Sequence, residues 1–499
     1  SALTHLKVMP DLWVESNRTH GIDLEAMTDM TGMIGNDAKI RGKNFKAGSD
    51  ESWSDSYAYY WKEMMSYDFM SSVSPNKSNI NTESHFLSTT QFRDLYMTPE
   101  YVNSTYWLAT LLGMDANLTW FWGREPDGSV ESRLIGDSGM NALGEAYAAS
   151  VAQQPRVANQ VYQTMTDINT FASEVTEIQE QKKPIRIFYS ETSAIINEDY
   201  MENQYDMYQN LFFNGFPIGF ATQNIIDKQD NKLWDVIVVY NTPNVTDTEF
   251  NALQTYLNKG GTVILDSISL KYDENHKNRS AVLKEGKGKL ISVDKTVDEI
   301  ASQAIGCVDM SNFSPIKLSE SNGLEQKGCM WRVIPSDNGK YTMSILNIGK
   351  NTATINISAY DKNISSVTDM FTQQARTTNF TIESEGVMML EITLTDKPTD
   401  SVKPTDSVKP TDSVKPTDLV KPTESTKPTN PVELTNQITS KNVTATIENT
   451  ASVSSKESND ISSPSTGDND LDNKMIFIFA LSIVGGALII TKRKKQGIQ

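Results

Sequence analysis

Lys77-Ser78-Asn79-Ile80-Asn81-Thr82-Glu83-Ser84-His85-Phe86 reads as a short β-strand whose last residues turn polar, and Ala116-Asn117-Leu118-Thr119-Trp120-Phe121-Trp122-Gly123-Arg124 reads as a second. Between them, Thr98 to Gly113 carries small and apolar residues at helical spacing. The three pieces make a strand, helix, strand unit. In a (β/α) barrel the chemistry sits where strands end, so a carboxylate and a tryptophan pair at two consecutive strand ends face one pocket. Glu83 is therefore the candidate catalytic carboxylate, and a carboxylate beside aromatic platforms suits a sugar ring. Asn79 and Asn81 are placed to supply donors that hold such a carboxylate ionised. The plainer reading stands beside it: a glutamate at a strand end also serves as a solvated rim residue or a salt-bridge partner. Trp120 and Trp122 also serve as core aromatics, but alternation on a strand takes one of them out of the wall packing. Trp122, next to Gly123 and Arg124, is the one expected to line the site.

Upstream of this unit the same rhythm runs back to the first residues. Leu6 to Met9 reads as a strand, Asp23 to Met30 as a helix, Gly32 to Gly35 as a strand ending at Asn36-Asp37, and Tyr57 to Tyr67 as an amphipathic helix. Ala142 to Glu180 reads as long helical segments. Residues 1–180 thus hold four strands, half a barrel, and an open half-barrel leaves unpaired edges. Strands one to four are expected upstream of residue 1, and the opening Ser1-Ala2-Leu3, with no initiator Met and no export signal, agrees with a missing N-terminus.

From Pro184 the strands become continuously apolar. Ile185 to Tyr189, Trp234 to Tyr240 and Gly261 to Asp266 alternate with helices at Tyr200 to Asn214 and Thr246 to Lys259. That pattern means a parallel sheet covered on both faces, a doubly wound domain over 183–306. It holds no phosphate-cradling glycine loop and no nucleophile elbow, so it reads as a structural or oligomerising module. Residues 330–394 carry short alternating strands, a small antiparallel β-domain.

Composition then breaks. A Lys-Pro-Thr-Asp-Ser-Val hexad begins at Lys397 and repeats with drift through Val432, within a disordered stalk over 396–462. Those 36 residues reach about 110 Å if extended at roughly 3.1 Å each. After it come Ser463-Pro464-Ser465-Thr466-Gly467, an uncharged run from Met475 to Thr491, and Lys492-Arg493-Lys494-Lys495. The run is long enough to span a membrane at the short end of the usual range, and the basic tail belongs in the cytoplasm.

The net charge of −18 and the lack of a basic patch outside the last residues argue against nucleic acid. Two cysteines, Cys307 and Cys329, are close enough in number to form one disulfide, though nothing requires it. Neither they nor the four histidines have metal-ligand spacing, so no metal and no cofactor is expected.

The order of short motif, apolar span and basic tail at 463–499 resembles the cell-wall sorting signals of Gram-positive bacteria, with Ser463 as in the variant motifs of some clostridial sortases. The resemblance implies cleavage between Thr466 and Gly467 by a sortase partner and covalent attachment to peptidoglycan at the cell surface. An ordinary single-span anchor is the alternative.

A half-barrel ending in a glutamate strand and a tryptophan-rich strand, then a flavodoxin-like α/β domain, then a small β-domain, resembles the glycoside hydrolase family 42 β-galactosidases over about 390 residues. The resemblance implies a (β/α)8 barrel with Glu83 as nucleophile at the end of the seventh strand. Trp122 and Arg124, with Trp120, fall in the family's eighth-strand aromatic segment, and Asn36-Asp37 fall at the sixth. It also implies a homotrimer and a general acid on strand four, which is outside this sequence. Asn36, Asp37 and His85 are then candidates for sugar hydroxyls, and the reaction is retaining hydrolysis of a terminal galactoside, with carbohydrate as substrate. Two other readings share these features. One is a catalytically inactive carbohydrate-binding surface protein or adhesin, and the other a β-glycosidase of different specificity, such as an arabinosidase or fucosidase.

Overall fold

The computed structural model describes residues 4–14, 21–38, 40–42, 55–84, 98–119 and 155–397. The chain divides into two compact units, and every described residue belongs to the first. The stalk, the 463–467 motif and the apolar run 475–491 lie outside the described residues. Among the described residues no helix is long and apolar enough to cross a membrane.

The first strands are β1 (His5–Val8) and β2 (Met33–Asn36), then a two-residue pair, β3 (Arg41–Gly42) and β4 (Tyr59–Tyr60), then β5 (Asn79–Ser84) and β6 (Ala116–Thr119). Strands β1, β2, β5 and β6 form one sheet in sequence order, and every pairing in it is parallel. Sequential parallel strands with intervening helices are the wall of a (β/α) barrel. The helix Leu24–Met30 starts where Asp23 accepts a hydrogen bond from the Ala26 N–H. The helix Pro99–Leu111 starts where Thr98 accepts from the Tyr101 N–H, with proline at the first helical position.

The expected helix over Tyr57 to Tyr67 is shorter than the sequence suggests. A single 3₁₀ turn, Lys62–Met64, leads into the helix Met65–Val73, while Tyr59–Tyr60 pairs as β4. Tyr57, Tyr59 and Trp61 recur every second residue and are all buried. That is a strand period, and it prevails over the helical one before residue 62. The long helical segments appear as Pro155–Thr170 and Ala172–Gln179; residues 142–154 lie outside the described part.

The second sheet contains β7 (Ile185–Phe188), β8 (Ile218–Ala221), β9 (Val236–Val239), β10 (Thr262–Asp266) and β11 (Lys289–Val293). Its order, β11-β10-β9-β7-β8 and all parallel, is the 2-1-3-4-5 order of flavodoxin-like folds. Strands β7, β8 and β9 are buried at every position, as continuous apolar runs require. Three of these five strands, β7, β9 and β10, are the apolar runs expected from the sequence. Strands β8 and β11 are additional, their apolar signal diluted by Gly219 and by the mixed run Lys289-Leu290-Ile291-Ser292-Val293.

The third part is a two-sheet antiparallel sandwich. One sheet joins β12 (Ile316–Ser321), β15 (Ala353–Ala359) and β18 (Asn379–Ile382). The other joins β13 (Cys329–Pro335), β14 (Lys340–Asn347), β16 (Lys362–Asp369), β17 (Ala375–Arg376) and β19 (Val387–Asp396). Trp331, Ile345, Ile355 and Leu390 fill the space between them. The sandwich starts at Ile316 rather than near residue 330, because β12 is an edge strand whose outward residues are polar. Cys307 and Cys329 are both free thiols.

Buried rings and one buried charge cluster weld these parts. Trp13, Phe69, Tyr189 and Phe220 meet with centroids 4.6 to 6.1 Å apart where the barrel wall touches the α/β domain. Beside them Asp68 accepts from Lys183 Nζ at 2.5 Å and from the Tyr208 hydroxyl at 2.7 Å, and Lys183 also donates to Ser71 Oγ at 2.8 Å. Burial pulls the Lys183 ammonium below its ordinary value, against the charge of Asp68. Arg332 of β13 is buried in the same cluster, and burial pushes its guanidinium down to about 10 while Asp68 pulls the other way. One carboxylate thus serves two cations contributed by two other domains.

Candidate functional site

Strand register decides which side chains share a face. Lys7 sits opposite Gly35 in the β1–β2 pairing, and Asn36 sits opposite Asn81 in the β2–β5 pairing. Alternation along each strand therefore puts Lys7, Gly35 and Asp37 on one face and Asn36, Asn79 and Asn81 on the other. The second face is the one covered by helices, since Asn81 Nδ2 donates to the Tyr67 hydroxyl of Met65–Val73 at 3.0 Å.

Glu83 belongs by simple counting to the face of Asn81, but the strand is irregular there. Asn81 pairs with Asn117 and Ser84 with Thr119, so three steps on β5 oppose two on β6. That extra residue is a β-bulge, which reverses the alternation and turns Glu83 toward the Lys7 face. The Glu83 N–H is held by Asn81 Oδ1 at 3.1 Å. The carboxylate accepts a hydrogen bond from Lys7 Nζ, which also lies 3.6 Å from Asp37 Oδ2. Three charges from three consecutive parallel strands thus converge where those strands end.

Their environments differ. Asp37 is buried, whereas the Glu83 side chain is 23% exposed and that of Lys7 37% exposed. Partial burial works to lower the Lys7 ammonium, but the hydrogen bond to Glu83 and the charges of Asp37 and Glu83 outweigh it and raise the group above its ordinary value. Lys7 therefore stays protonated at any neutral pH. Gly35 lies directly under the His5 imidazole, where a Cβ would come within 2.2 Å of Nε2. Glycine at that position leaves room for the ring and for the Leu6 carbonyl, which a Cβ would meet at 2.4 Å.

The backbone that carries Asp37 is pinned from the far side. Asn36 Oδ1 accepts from the Ala38 N–H at 3.0 Å, Asn81 Nδ2 donates to the Ala38 carbonyl at 2.8 Å, and the Tyr101 hydroxyl donates to the Ile40 carbonyl at 2.7 Å. These bonds correct two expectations. Asn36 is fully buried and its amide donates to Asn79 Oδ1 at 2.6 Å, so it faces the helix layer and not a sugar. The amides of Asn79 and Asn81 likewise bond within that layer, and Asn81 serves the Glu83 backbone rather than its carboxylate. Asp37 and Glu83 are brought together, and the residue that joins them, Lys7, went unnoticed in the sequence. Its signal was a charged residue on the inward phase of Leu6-Lys7-Val8, at the same phase as Asp37. His85, Trp120, Trp122 and Arg124 lie outside the described residues.

Doubly wound domains bind ligands beyond the carboxyl ends of their strands, where strand order reverses. In this sheet that point lies between β7 and β9, and it is filled by the chain itself. The Ser190 N–H donates to the Tyr200 hydroxyl at 2.9 Å, Ser193 Oγ to the Asn244 carbonyl at 2.6 Å, and Gln204 Nε2 to the Tyr240 carbonyl at 2.9 Å. The side chains of Ser190, Ser193, Tyr200, Gln204 and Asn244 are buried. A cavity of about 920 Å³ opens at the opposite, amino-terminal edge of the sheet, around Trp234, Tyr256, Lys259 and Gly260. Lys7, Asp37 and Glu83 do not line it, and size alone does not make it the reactive site. Among the described residues no group of three or more His, Cys, Asp and Glu is arranged to hold a metal ion.

Comparison with known proteins agrees with this architecture. No protein-family model and no curated protein matches the chain. Among solved structures, an apo exo-carrageenase of glycoside hydrolase family 42 from Bacteroides ovatus is 42% identical, with a TM-score of 0.73. The match covers 79% of this chain and 52% of that one, so the chain spans about half the length of that relative. A family 42 β-galactosidase from G. stearothermophilus (12% identity, TM-score 0.56) is matched over 78% of this chain and 64% of its own. One from Bacillus circulans sp. alkalophilus (11% identity, TM-score 0.52) is matched over 78% and 63%. The last two likenesses are of fold. The described part of the chain has a fold like that of family 42 glycoside hydrolases.

Proposed function

We propose that this chain carries the nucleophile side of a retaining β-glycosidase that removes galactose-type residues from the ends of glycans, with carrageenan-type galactans as the substrate class. The observation that supports it most is Glu83. It is a partly exposed carboxylate, aimed by a bulge from the end of a parallel strand at a fixed ammonium group, within a fold like that of an exo-carrageenase 42% identical to this chain. Glu83 attacks the anomeric carbon while a carboxylic acid about 5 Å away protonates the departing oxygen, and water then releases the sugar with net retention. Asp37, held at the site by Lys7, takes a hydroxyl of the bound sugar. Trp120, Trp122, Arg124 and His85 complete the sugar pocket in this reading, the aromatic rings stacking on the apolar face of the ring.

The sequence features at 463–499 support a further part of the proposal: sortase joins Thr466 to peptidoglycan, and the stalk carries the enzyme away from the wall. Galactosidase, rather than arabinosidase or fucosidase, action rests on the galactan-acting relatives. The test uses the protein expressed with any coding sequence that precedes residue 1, on carrageenan oligosaccharides and aryl β-galactosides. Proton NMR of the first-formed sugar is expected to show the β-anomer. An α-anomer first product would remove the retaining mechanism, and binding without release of sugar would favour the adhesin reading.

A further inference from the structure

Lys7 is shared by two carboxylates with different fates. Resting on the proposal that Glu83 is a nucleophile, we propose that Lys7 is a positioning residue that holds Glu83 charged and oriented for attack, and passes to Asp37 when Glu83 becomes esterified. The geometry supplies both halves. Lys7 Nζ is hydrogen-bonded to Glu83 and stands 3.6 Å from Asp37 Oδ2, and all three lie on one face of consecutive strands. The bulge at residues 81–84 is what brings Glu83 within reach of the ammonium, so the pair follows from the same backbone feature that aims the carboxylate.

The charge count shows why two carboxylates are useful. Before attack the trio carries one net negative charge. In the first step a Glu83 oxygen bonds to the anomeric carbon, the bond from that carbon to the leaving oxygen breaks, and with an aryl galactoside the electron pair departs on the aryloxide. Glu83 is then a neutral ester. A lysine paired to Glu83 alone would be left as an uncompensated cation, whereas here buried Asp37 keeps it paired. When water cleaves the ester, the carboxylate returns to a waiting ammonium. Among the described residues, Tyr67 on the helix behind β2 feels the charges of Asp37 and of Glu63, and His5 lies beside the cluster on β1.

The test is the pH dependence of kcat/KM on an activated aryl β-galactoside, whose departure needs no proton, so that the acid limb reports the nucleophile. In Lys7→Met the two carboxylates repel each other, and the acid limb is expected to move up by roughly one pH unit or more. Lys7→Arg restores it. Asp37→Asn leaves the ammonium to Glu83 alone, and the limb is expected to move down, with a lower kcat because the tighter pair makes a weaker nucleophile. Opposite movements in the two variants support the inference, and if Lys7→Met does not fold, Asp37→Asn decides: a limb that fails to move down overturns it. An unmoved limb in folded Lys7→Met, or movement in the same direction in both variants, overturns it. Trapping with a 2-fluoro-galactoside separates the premises: label on Glu83 with an unmoved limb removes the role of Lys7 alone, while label elsewhere removes the proposed function with it.

Discussion

The chain contains two parallel sheets, and each has a carboxyl edge of the kind at which α/β proteins place their chemistry. At the barrel edge, Lys7, Asp37 and Glu83 face one another and two of the three are partly exposed. At the α/β edge, Ser190, Ser193, Tyr200, Gln204 and Asn244 are buried, and their hydrogen bonds run to backbone groups of the same domain. Topology offers both edges equally, and side-chain chemistry decides between them. An edge whose polar side chains are buried and bonded to the domain's own backbone holds a domain together, whereas one that gathers titratable groups under partial exposure is prepared to act on something.

This contrast is open to direct attack. Glu83→Gln at the barrel edge keeps the shape and removes the charge, so turnover is expected to fall by about four orders of magnitude with circular dichroism and melting unchanged. Activity within tenfold of the parent would take the chemistry away from this edge. Next in size is Asp68→Ala at the junction, which leaves Lys183 and Arg332 buried without their shared anion. It is expected to cost about 3–5 kcal/mol in urea unfolding. A loss under about 1 kcal/mol would show that the junction is held by its rings instead.

At the α/β edge, Tyr200→Phe strips the acceptor from the buried Ser190 N–H and is expected to cost about 1–3 kcal/mol of stability while kcat/KM stays unchanged. A change in kcat/KM larger than in stability would mean that this edge too serves the reaction. The smallest effect belongs to Thr246→Ala, which opens the capping box in which the Glu249 N–H donates to Thr246 Oγ1 at 3.1 Å and the Thr246 N–H to Glu249 Oε2 at 2.6 Å. About 1 kcal/mol is expected from chemical denaturation, again with no effect on turnover.

The difference between the two edges was only partly legible in the sequence. Apolar runs such as Val236-Ile237-Val238-Val239 announce a sheet buried on both faces. The strand ends at Asn36-Asp37 and Glu83 could be found because parallel strands separated by helices put their ends on one side. What could not be read was phase. Counting by twos puts Asn79, Asn81 and Glu83 on one face, and nothing in Asn81-Thr82-Glu83-Ser84 announces the extra residue that separates Glu83 from the asparagines. Lys7 was missed for a related reason: a lysine in an exposed-looking first strand is noticed only when register sets it opposite Gly35. The strand character of Tyr57 to Trp61 was hidden by a helical count that began too early. Pairings across distant strands are long-range facts, and local periodicity carries none of them.

The measurement that bears most directly on the central claim is covalent trapping. The protein, expressed with any coding sequence preceding residue 1, is incubated with an activated 2-fluoro-β-galactoside and then mapped by peptide mass spectrometry. The account predicts a single fluorogalactosyl label on Glu83. Label on another residue, or none with galactose-, glucose-, arabinose- and fucose-type reagents on a folded protein, would contradict it.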